Sequence, residues 1–189
     1  MARTVQQLFD LSGKTALVTG GSRGLGLQMA HALGEAGARI VLSSRKAQDL
    51  QEAAAELQAA GIDAQWIAAD CASEDDIQRL ARETLALLGH VDILVNNAGA
   101  SWGAPAEDHP TAAWDKVMNL NVRGYFLLSQ AIAKGSMTGR KGGRIINIAS
   151  IAGLGGNPAQ MKTIAYNTSK GAVINFTRAL AGEWGGYGI

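Results

Sequence analysis

The alternation of two kinds of segment constrains the fold of this chain more than any other feature of its sequence. Short apolar runs rich in β-branched residues alternate with longer stretches that repeat at helical spacing. The predicted strands are residues 15–19, 39–43, 64–68, 92–95 and 144–148, and the predicted helices are residues 25–36, 46–60, 74–88, 111–134 and 163–184. Such alternation requires right-handed crossovers and a parallel sheet with helices on both faces. We therefore predict an α/β fold with a doubly wound parallel sheet.

Composition and charge exclude several classes of partner. Hydrophobic residues make up 47% of the chain, which is enough for a buried core. A net charge of +1 gives no bulk attraction for a polyanion, so we predict no nucleic-acid partner. His31, His90 and His109 lack metal-ligand spacing, so we predict no metal site.

The sequence also predicts where the protein works. No run of about 18 apolar residues occurs, so we predict no membrane-spanning segment. The first residues lack the apolar core of a signal peptide, and the single Cys71 cannot form an internal disulfide. These features favour a reducing compartment, and we expect the protein to be cytoplasmic.

A glycine-rich loop follows the first predicted strand. Residues 19–26 read TGGSRGLG and lead directly into the first long predicted helix. In this position glycines permit a tight turn, and backbone N–H groups at the start of the helix attract a pyrophosphate. The predicted phosphate-contacting residues are Gly20, Ser22, Arg23, Gly24, Leu25 and Gly26. The loop predicts a Rossmann-type nucleotide site, although a glycine-rich turn without a ligand gives the same pattern.

The end of the second predicted strand indicates which dinucleotide binds. An acidic side chain at this point bonds the ribose 2′-hydroxyl of NAD, whereas cations accept the 2′-phosphate of NADP. Here Ser44 and Arg45 follow the strand, and no acid occurs before Asp49. We predict NADP(H) in preference to NAD(H), with Ser44 and Arg45 as phosphate ligands and Arg23 within reach. The alternative is that Arg45 and Lys46 only form the solvated start of a helix.

Tyr166 and Lys170 lie four residues apart at the start of the last predicted helix, so both project from one face. An ammonium near a phenol favours the phenolate and moves its pKa towards neutrality, where it becomes a useful acid or base. Ser150 follows the fifth predicted strand, and the sequence NNAG at residues 96–99 follows the fourth. Ligands of parallel sheets bind at these carboxyl ends, so we predict that the three segments share one site.

In this order and on these elements, T-G-x-x-x-G-x-G, N-N-A-G, the serine and Y-x-x-x-K resemble the short-chain dehydrogenase/reductase family, from about residue 11 to residue 189. The resemblance is to members that act on 3-oxoacyl carrier-protein thioesters or gluconate. It implies hydride transfer between NADP(H) and a carbonyl or secondary alcohol. The substrate class stays open among 3-oxoacyl thioesters, sugar acids or polyols, and small ketones. A nucleotide-binding module without turnover and an assembly protein that keeps only the fold are the alternatives.

The resemblance also implies residue roles. Tyr166 is the general acid/base, Lys170 lowers its pKa and holds the nicotinamide ribose, and Ser150 bonds the substrate oxygen. Asn121, in N-x-x-G spacing, is the fourth catalytic residue and supports a water-linked proton relay. Asp70 and its neighbour Cys71 are placed at the adenine, and Asn97, Ala98 and Gly99 line the adenosine side.

The resemblance finally implies how the chain is organised. We expect residues 1–189 to form one dinucleotide-binding and catalytic domain. The family normally continues with further strands, so we expect the sheet to lack its last strand and the chain to be part of a longer protein. The two long helices, 111–134 and 163–184, are expected to form a four-helix interface in a homo-oligomer, a tetramer or a dimer.

Overall fold

A computed structural model describes residues 4–189, and a parallel sheet of five strands forms its centre. The strands are β1 (Thr15–Thr19), β2 (Arg39–Ser44), β3 (Ala64–Ala68), β4 (Ile93–Asn96) and β5 (Arg144–Asn147). Their order in the sheet is β3-β2-β1-β4-β5, and every neighbouring pair is parallel. The predicted doubly wound sheet is confirmed, and each predicted strand agrees with the structure to within one residue at either end.

Helices cover both faces of the sheet. They are α1 (Val5–Phe9), α2 (Gly24–Glu35), α3 (Ala47–Ala59), α4 (Glu74–Leu88), α5 (Thr111–Met118), α6 (Gly124–Ile132), α7 (Thr138–Arg140) and α8 (Ile164–Trp184). Two π-helical turns, Asn119–Arg123 and Ala133–Met137, join α5, α6 and α7 into one helical segment. None of the helices within residues 4–189 combines the length and apolar character that crossing a bilayer requires.

Two details of the helices differ from the prediction. The segment predicted to end at residue 134 continues to Arg140. The next residue, Lys141, leaves the helical conformation with a φ of 53°. The helix α1 was not predicted; it begins with a capping box in which Thr4 and Gln7 bond each other's backbone N–H groups. After α8, residues Gly185–Tyr187 form a 3₁₀ turn.

Alternate residues of the central strands point into two separate hydrophobic cores, one on each face of the sheet. Leu17 and Val41 point to the face covered by α4 and α6, where they pack with Leu80. Val18 and Leu42 point to the opposite face, covered by α2 and α3. The strands β1, β2 and β4 are therefore buried on both sides, as their continuous apolar runs predict.

The sheet order places a crevice between β1 and β4. From β1 the chain builds outwards through β2 and β3 and then returns to add β4 and β5 on the other side of β1. The connections after β1 and β4 therefore diverge at the carboxyl ends of adjacent strands. This is where parallel sheets of this type bind ligands.

Candidate active site

Two adjoining cavities occupy the crevice at the carboxyl ends of the strands. The smaller, of about 250 Å³, adjoins the glycine loop. Its lining includes the predicted cofactor residues Gly20, Ser22, Arg23, Ser44, Arg45, Asp70, Cys71, Asn97, Ala98 and Gly99. The larger, of about 740 Å³, is lined by Leu25, Ser150, Tyr166 and Lys170 and shares Asn97 and Gly99 with the smaller. Gly24, Gly26 and Asn121 line neither cavity.

The glycine loop passes very close to the segment after β4. Gly20 has a φ of +63°, and a Cβ there would lie 2.8 Å from Asn97 Nδ2. A Cβ at Gly26 would overlap the carbonyl oxygen of Gly20. The start of α2 can therefore sit against the loop only because both positions lack a side chain.

Thr19 and Asn97 join the two loops by hydrogen bonds. The Thr19 hydroxyl donates to the Val95 carbonyl at 3.2 Å and accepts from the N–H groups of Asn97 at 3.0 Å and Ala98 at 3.1 Å. Asn97 Nδ2 donates to the carbonyl oxygens of Thr19 at 3.0 Å and Gly20 at 3.2 Å. This role of Thr19 was not predicted, although a polar residue at the end of an apolar strand is a signal for it.

The smaller cavity has the features that a dinucleotide phosphate needs. Arg23 is the N-cap of α2, and its exposed side chain caps none of the first-turn N–H groups. The positive end of the α2 dipole therefore lies, without a side-chain cap, at the glycine loop that borders the cavity. The Ser44 hydroxyl is buried in the wall and has no hydrogen-bond partner among residues 4–189. These groups fit a phosphorylated ribose beside a pyrophosphate.

Asp70 and Cys71 form the wall opposite the glycine loop. The Asp70 carboxylate accepts from Ala72 N–H at 2.9 Å, which fixes its orientation at the end of β3. Burial raises the pKa of Cys71 to about 12, and the carboxylates of Asp70 and Asp76 add to this effect. Cys71 is therefore a neutral thiol that packs in the wall, and not a nucleophile.

The structure brings Tyr166 and Lys170 together at the base of the larger cavity. Only 3% of Lys170 is exposed, and its Nζ donates to the Ile148 carbonyl oxygen at 2.6 Å. The same Nζ lies 5.6 Å from the centroid of the Tyr166 ring. Burial lowers the pKa of Lys170 to about 8. A cation next to the phenol ring stabilises the phenolate relative to the phenol.

A second aromatic ring, which the sequence analysis missed, faces the same ammonium. The Tyr125 centroid lies 5.5 Å from Lys170 Nζ, so the cation contacts the rings of both Tyr125 and Tyr166. Tyr125 is 2% exposed, and its hydroxyl has no hydrogen-bond partner within the described part of the chain. Burial raises the pKa of Tyr125, so it remains a neutral phenol. Its place directly after the N-x-x-G sequence is the only signal that could have found it.

Asn121 braces the site from within the first π-helical turn. Its Oδ1 accepts from Ala100 N–H at 2.8 Å, and its Nδ2 donates to the Ala100 carbonyl at 2.9 Å and to Ser169 Oγ at 2.9 Å. Ser169 Oγ in turn donates to the Tyr166 carbonyl at 2.7 Å. Asn121 thus ties the segment after β4 to the helix that carries Tyr166. Its role in a proton relay stays a prediction.

Ser150 lies at the start of the segment that crosses from β5 to α8. Its Oγ accepts from Ala152 N–H at 3.2 Å and caps the 3₁₀ turn Ile151–Gly153. This turn packs against α8 so closely that a Cβ at Gly153 would lie 2.5 Å from the Lys170 carbonyl carbon. The hydroxyl is therefore held in the cavity that Tyr166 and Lys170 also line.

The long segment between Ser150 and α8 is held by a polar cluster that the sequence analysis did not predict. We call Asn157, Thr163 and Asn167 the amide cluster. Asn167 Oδ1 accepts from Asn157 Nδ2 and from Thr163 Oγ1, each at 3.0 Å. Asn167 Nδ2 donates to the Ala152 carbonyl at 2.9 Å. The residue next to Tyr166 therefore anchors the segment that follows Ser150.

Comparison with known proteins identifies relatives over most of the chain. A family model described as short chain dehydrogenase matches residues 14–189. A rhamnolipids biosynthesis 3-oxoacyl-[acyl-carrier-protein] reductase from Pseudomonas aeruginosa is 44% identical over 178 residues, which cover 93% of this chain and 68% of the relative. A gluconate 5-dehydrogenase from Gluconobacter oxydans is 38% identical over 182 residues, covering 96% and 70%.

A solved structure shows the same fold. It is a gluconate 5-dehydrogenase from Burkholderia cenocepacia in complex with NADP and tartrate, with a TM-score of 0.90 and 35% identity. The match covers 98% of this chain and 71% of that one. Together with the paired Tyr166 and Lys170 beside a glycine-loop crevice, these matches show that the chain belongs to the short-chain dehydrogenase/reductase family of oxidoreductases.

Proposed function

We propose that the protein transfers hydride reversibly between NADP(H) and a carbonyl or secondary alcohol, with Tyr166 as general acid/base. One observation carries the proposal: Tyr166, Lys170 and Ser150 line a single cavity of about 740 Å³ that joins the glycine-loop cavity. An acid/base group, a cation that tunes it and a hydroxyl donor thus surround one space. That space is continuous with the candidate dinucleotide site.

Each side chain has a distinct task in this mechanism. When bound, the dinucleotide supplies or accepts the hydride. In the reducing direction, Tyr166 gives its proton to the carbonyl oxygen as negative charge develops there. Ser150 donates a second hydrogen bond to that oxygen. The hydrogen bond that Ser150 Oγ accepts from Ala152 N–H orients the hydroxyl. Lys170 Nζ, 5.6 Å from the centroid of the Tyr166 ring, stabilises the negative charge that develops on the phenol as its proton leaves.

Replacing Tyr166 with phenylalanine tests the assignment. Because general acid/base catalysis contributes roughly 10²–10⁴-fold, Tyr166→Phe should lower kcat/KM by a factor in that range. The dissociation constant for NADPH should stay within about threefold, since only a hydroxyl is removed. Tyr187→Phe, at an exposed tyrosine that lines neither cavity, is the matched control. Tyr166→Phe with near-normal turnover would disprove the role, and tight NADPH binding without turnover in the wild type would favour a nucleotide-binding module.

The preference for NADP(H) is also part of the proposal. Arg23, Arg45 and the unpaired Ser44 hydroxyl line the smaller cavity, and Asp70 is the one acidic residue in its lining. The Burkholderia relative was solved with NADP. Arg45→Asp should therefore weaken NADPH binding by about tenfold or more and leave NADH binding nearly unchanged. Lys46→Asp is the control, because Lys46 lies next in the chain but outside the cavity lining. Equal loss of both dinucleotides in Arg45→Asp would contradict the assignment.

We further propose that the protein forms a homo-oligomer through the outer faces of α6 and α8. Phe126 on α6 is exposed and meets Phe176 on α8 edge-to-face, with centroids 6.4 Å apart. Light scattering that gives the mass of a monomer would contradict this proposal.

The single buried thiol of Cys71 supports a cytoplasmic, reducing location.

A further inference from the structure

A third cavity extends the reaction space away from the glycine loop. It measures about 410 Å³ and lies between residues 104–107 and 155–167. It shares Asn157, Met161 and Thr163 with the larger cavity that holds Ser150 and Tyr166. A substrate whose carbonyl lies at Tyr166 therefore has room for a body that continues past Met161. We call this third cavity the outer cavity.

Several polar side chains around this space already bond one another. In the amide cluster, the Thr163 hydroxyl accepts from Asn157 Nδ2 at 2.9 Å and donates to Asn167 Oδ1 at 3.0 Å. Asn167 uses both ends of its amide, as described above. Ser150, Tyr166 and Lys170 are committed to the reacting oxygen and the dinucleotide. Among the lining side chains, Ser101, Glu107 and Lys162 are left for hydroxyls elsewhere on a substrate.

Most of the remaining side chains in the two linings are apolar. The side chains concerned are Ala100, Ile148, Ala149, Ile151, Ala152 and Met161 in the larger cavity, and Ala104, Pro105, Ala106, Ala159 and Ile164 in the outer one. Ile151 is 86% exposed and Met161 is 58% exposed, so their apolar surface is open to a ligand. In a cavity that leads to the reacting groups, such surface favours an apolar ligand.

The charges of the outer cavity give no net attraction for an anion. Its lining has one ammonium, Lys162, and one carboxylate, Glu107. The larger cavity has one charged residue, the buried Lys170. A substrate carboxylate in the outer cavity would therefore meet the repulsion of Glu107 as well as the attraction of Lys162.

From these walls we infer that the substrate carries an uncharged alkyl chain beside its reacting carbonyl, as a 3-oxoacyl thioester or an aliphatic ketone does. The inference rests on the proposed function, because it concerns the same cavity. Each methylene buried against Ile151, Met161 and the alanines gains the hydrophobic transfer free energy. A polyol or sugar acid would instead place most of its hydroxyls against apolar walls, where only Ser101, Glu107 and Lys162 are left to bond them.

A homologous series of substrates tests the inference. We expect kcat/KM for NADPH-dependent reduction of 3-oxoacyl N-acetylcysteamine thioesters, or of 2-alkanones, to rise about fourfold per methylene until the outer cavity is filled. The two series distinguish a thioester from a simple ketone. 5-Ketogluconate should react at least about a hundredfold more slowly than the best alkyl substrate. A flat dependence on chain length, or faster reduction of the sugar acid, overturns the inference.

A variant and a binding measurement separate this inference from the proposed function. Met161→Ser should reduce the gain per methylene to less than about twofold, whereas Leu87→Ser, at an exposed apolar residue on α4, should leave it unchanged. Calorimetry with 2-alkanols should show tighter binding as the chain lengthens, without any need for turnover. Chain-dependent binding without turnover supports the inference and overturns the proposed function. Turnover that is independent of chain length supports the proposed function and overturns the inference.

Discussion

Replacing Lys170 with methionine tests whether the site holds a buried charge at the expense of stability. The side chain is 3% exposed, and burial lowers its pKa from 10.5 to about 8. Below about pH 8 the folded and unfolded chains are both protonated, so the folded state carries the full cost of burying the cation. Between about pH 8 and 10.5 the unfolded chain keeps a proton that the folded chain has lost. Wild-type stability therefore rises with pH across this window.

The size of the effect follows from the same pKa values. The interval from 10.5 to about 8 corresponds to about 3 kcal/mol. Contacts of the cation with the rings of Tyr125 and Tyr166 offset about 1 kcal/mol of this cost. We therefore expect the free energy of unfolding of Lys170→Met, relative to wild type, to fall by about 2 kcal/mol between pH 7 and pH 10.5. Losing the hydrogen bond to the Ile148 carbonyl costs the variant about 1 kcal/mol at every pH.

Urea unfolding at several pH values measures this difference. Lys134→Met, at an exposed lysine on the same protein, is the control and should show no such dependence. The same Lys170→Met preparation should lose turnover, because the phenol of Tyr166 then has no cation beside it. A stability difference that does not change with pH, or that grows in favour of the variant as pH rises, would refute the reasoning.

Three further predictions concern the walls of the site. A Cβ at Gly26 would overlap the Gly20 carbonyl, so Gly26→Ala should weaken NADPH binding by about tenfold, measured by calorimetry, whereas Gly182→Ala, which has open space around it, should not. Tyr125→Phe removes a buried unpaired hydroxyl, so it should keep turnover and raise the free energy of unfolding by about 1 kcal/mol. Tyr125→Leu removes the ring that contacts Lys170 and should lower kcat about tenfold. Equal kinetics for the two variants would show that the ring is not needed. Because burial raises the pKa of Cys71 to about 12, a disulfide reagent at neutral pH should label it only after unfolding, and rapid labelling of the native protein would contradict this.

The fold could be predicted from the sequence because its signals are local. The central strands β1 and β4 are apolar runs between polar residues or glycine, and the stripe of Leu50, Ala53, Ala54 and Leu57 that marks α3 is buried in the structure. The errors lie where the local signal is weak. Glycines at 135 and 139 weaken the helical signal, yet the segment stays helical to Arg140 because Ala133, Ser136 and Met137 are buried by tertiary packing.

The site could be predicted where a motif fixes both the residue and the strand end that carries it. Arg45, Asp70 and Asn97 follow three different strands, and all three line one cavity. The Tyr125 ring and the amide cluster could not be predicted in this way. Tyr125 meets Lys170 from an element 45 residues earlier in sequence, and Asn157 meets Asn167 across an irregular segment, so no periodic pattern records either contact.

The hydrogen bonds around the site divide its residues into two groups with different expected kinetics. Asn97, Asn121 and Asn167 each bond the backbone of a neighbouring loop, so they set the distances among the glycine loop, Ser150 and Tyr166. Truncating the side chain of any of these three asparagines would misplace the reacting groups and would lower mainly kcat. In the proposed substrate arrangement, Met161 and the apolar walls would contact only the body of the substrate, so changes there would alter mainly KM. The same scaffold can therefore keep its chemistry while the walls of the outer cavity change the substrate.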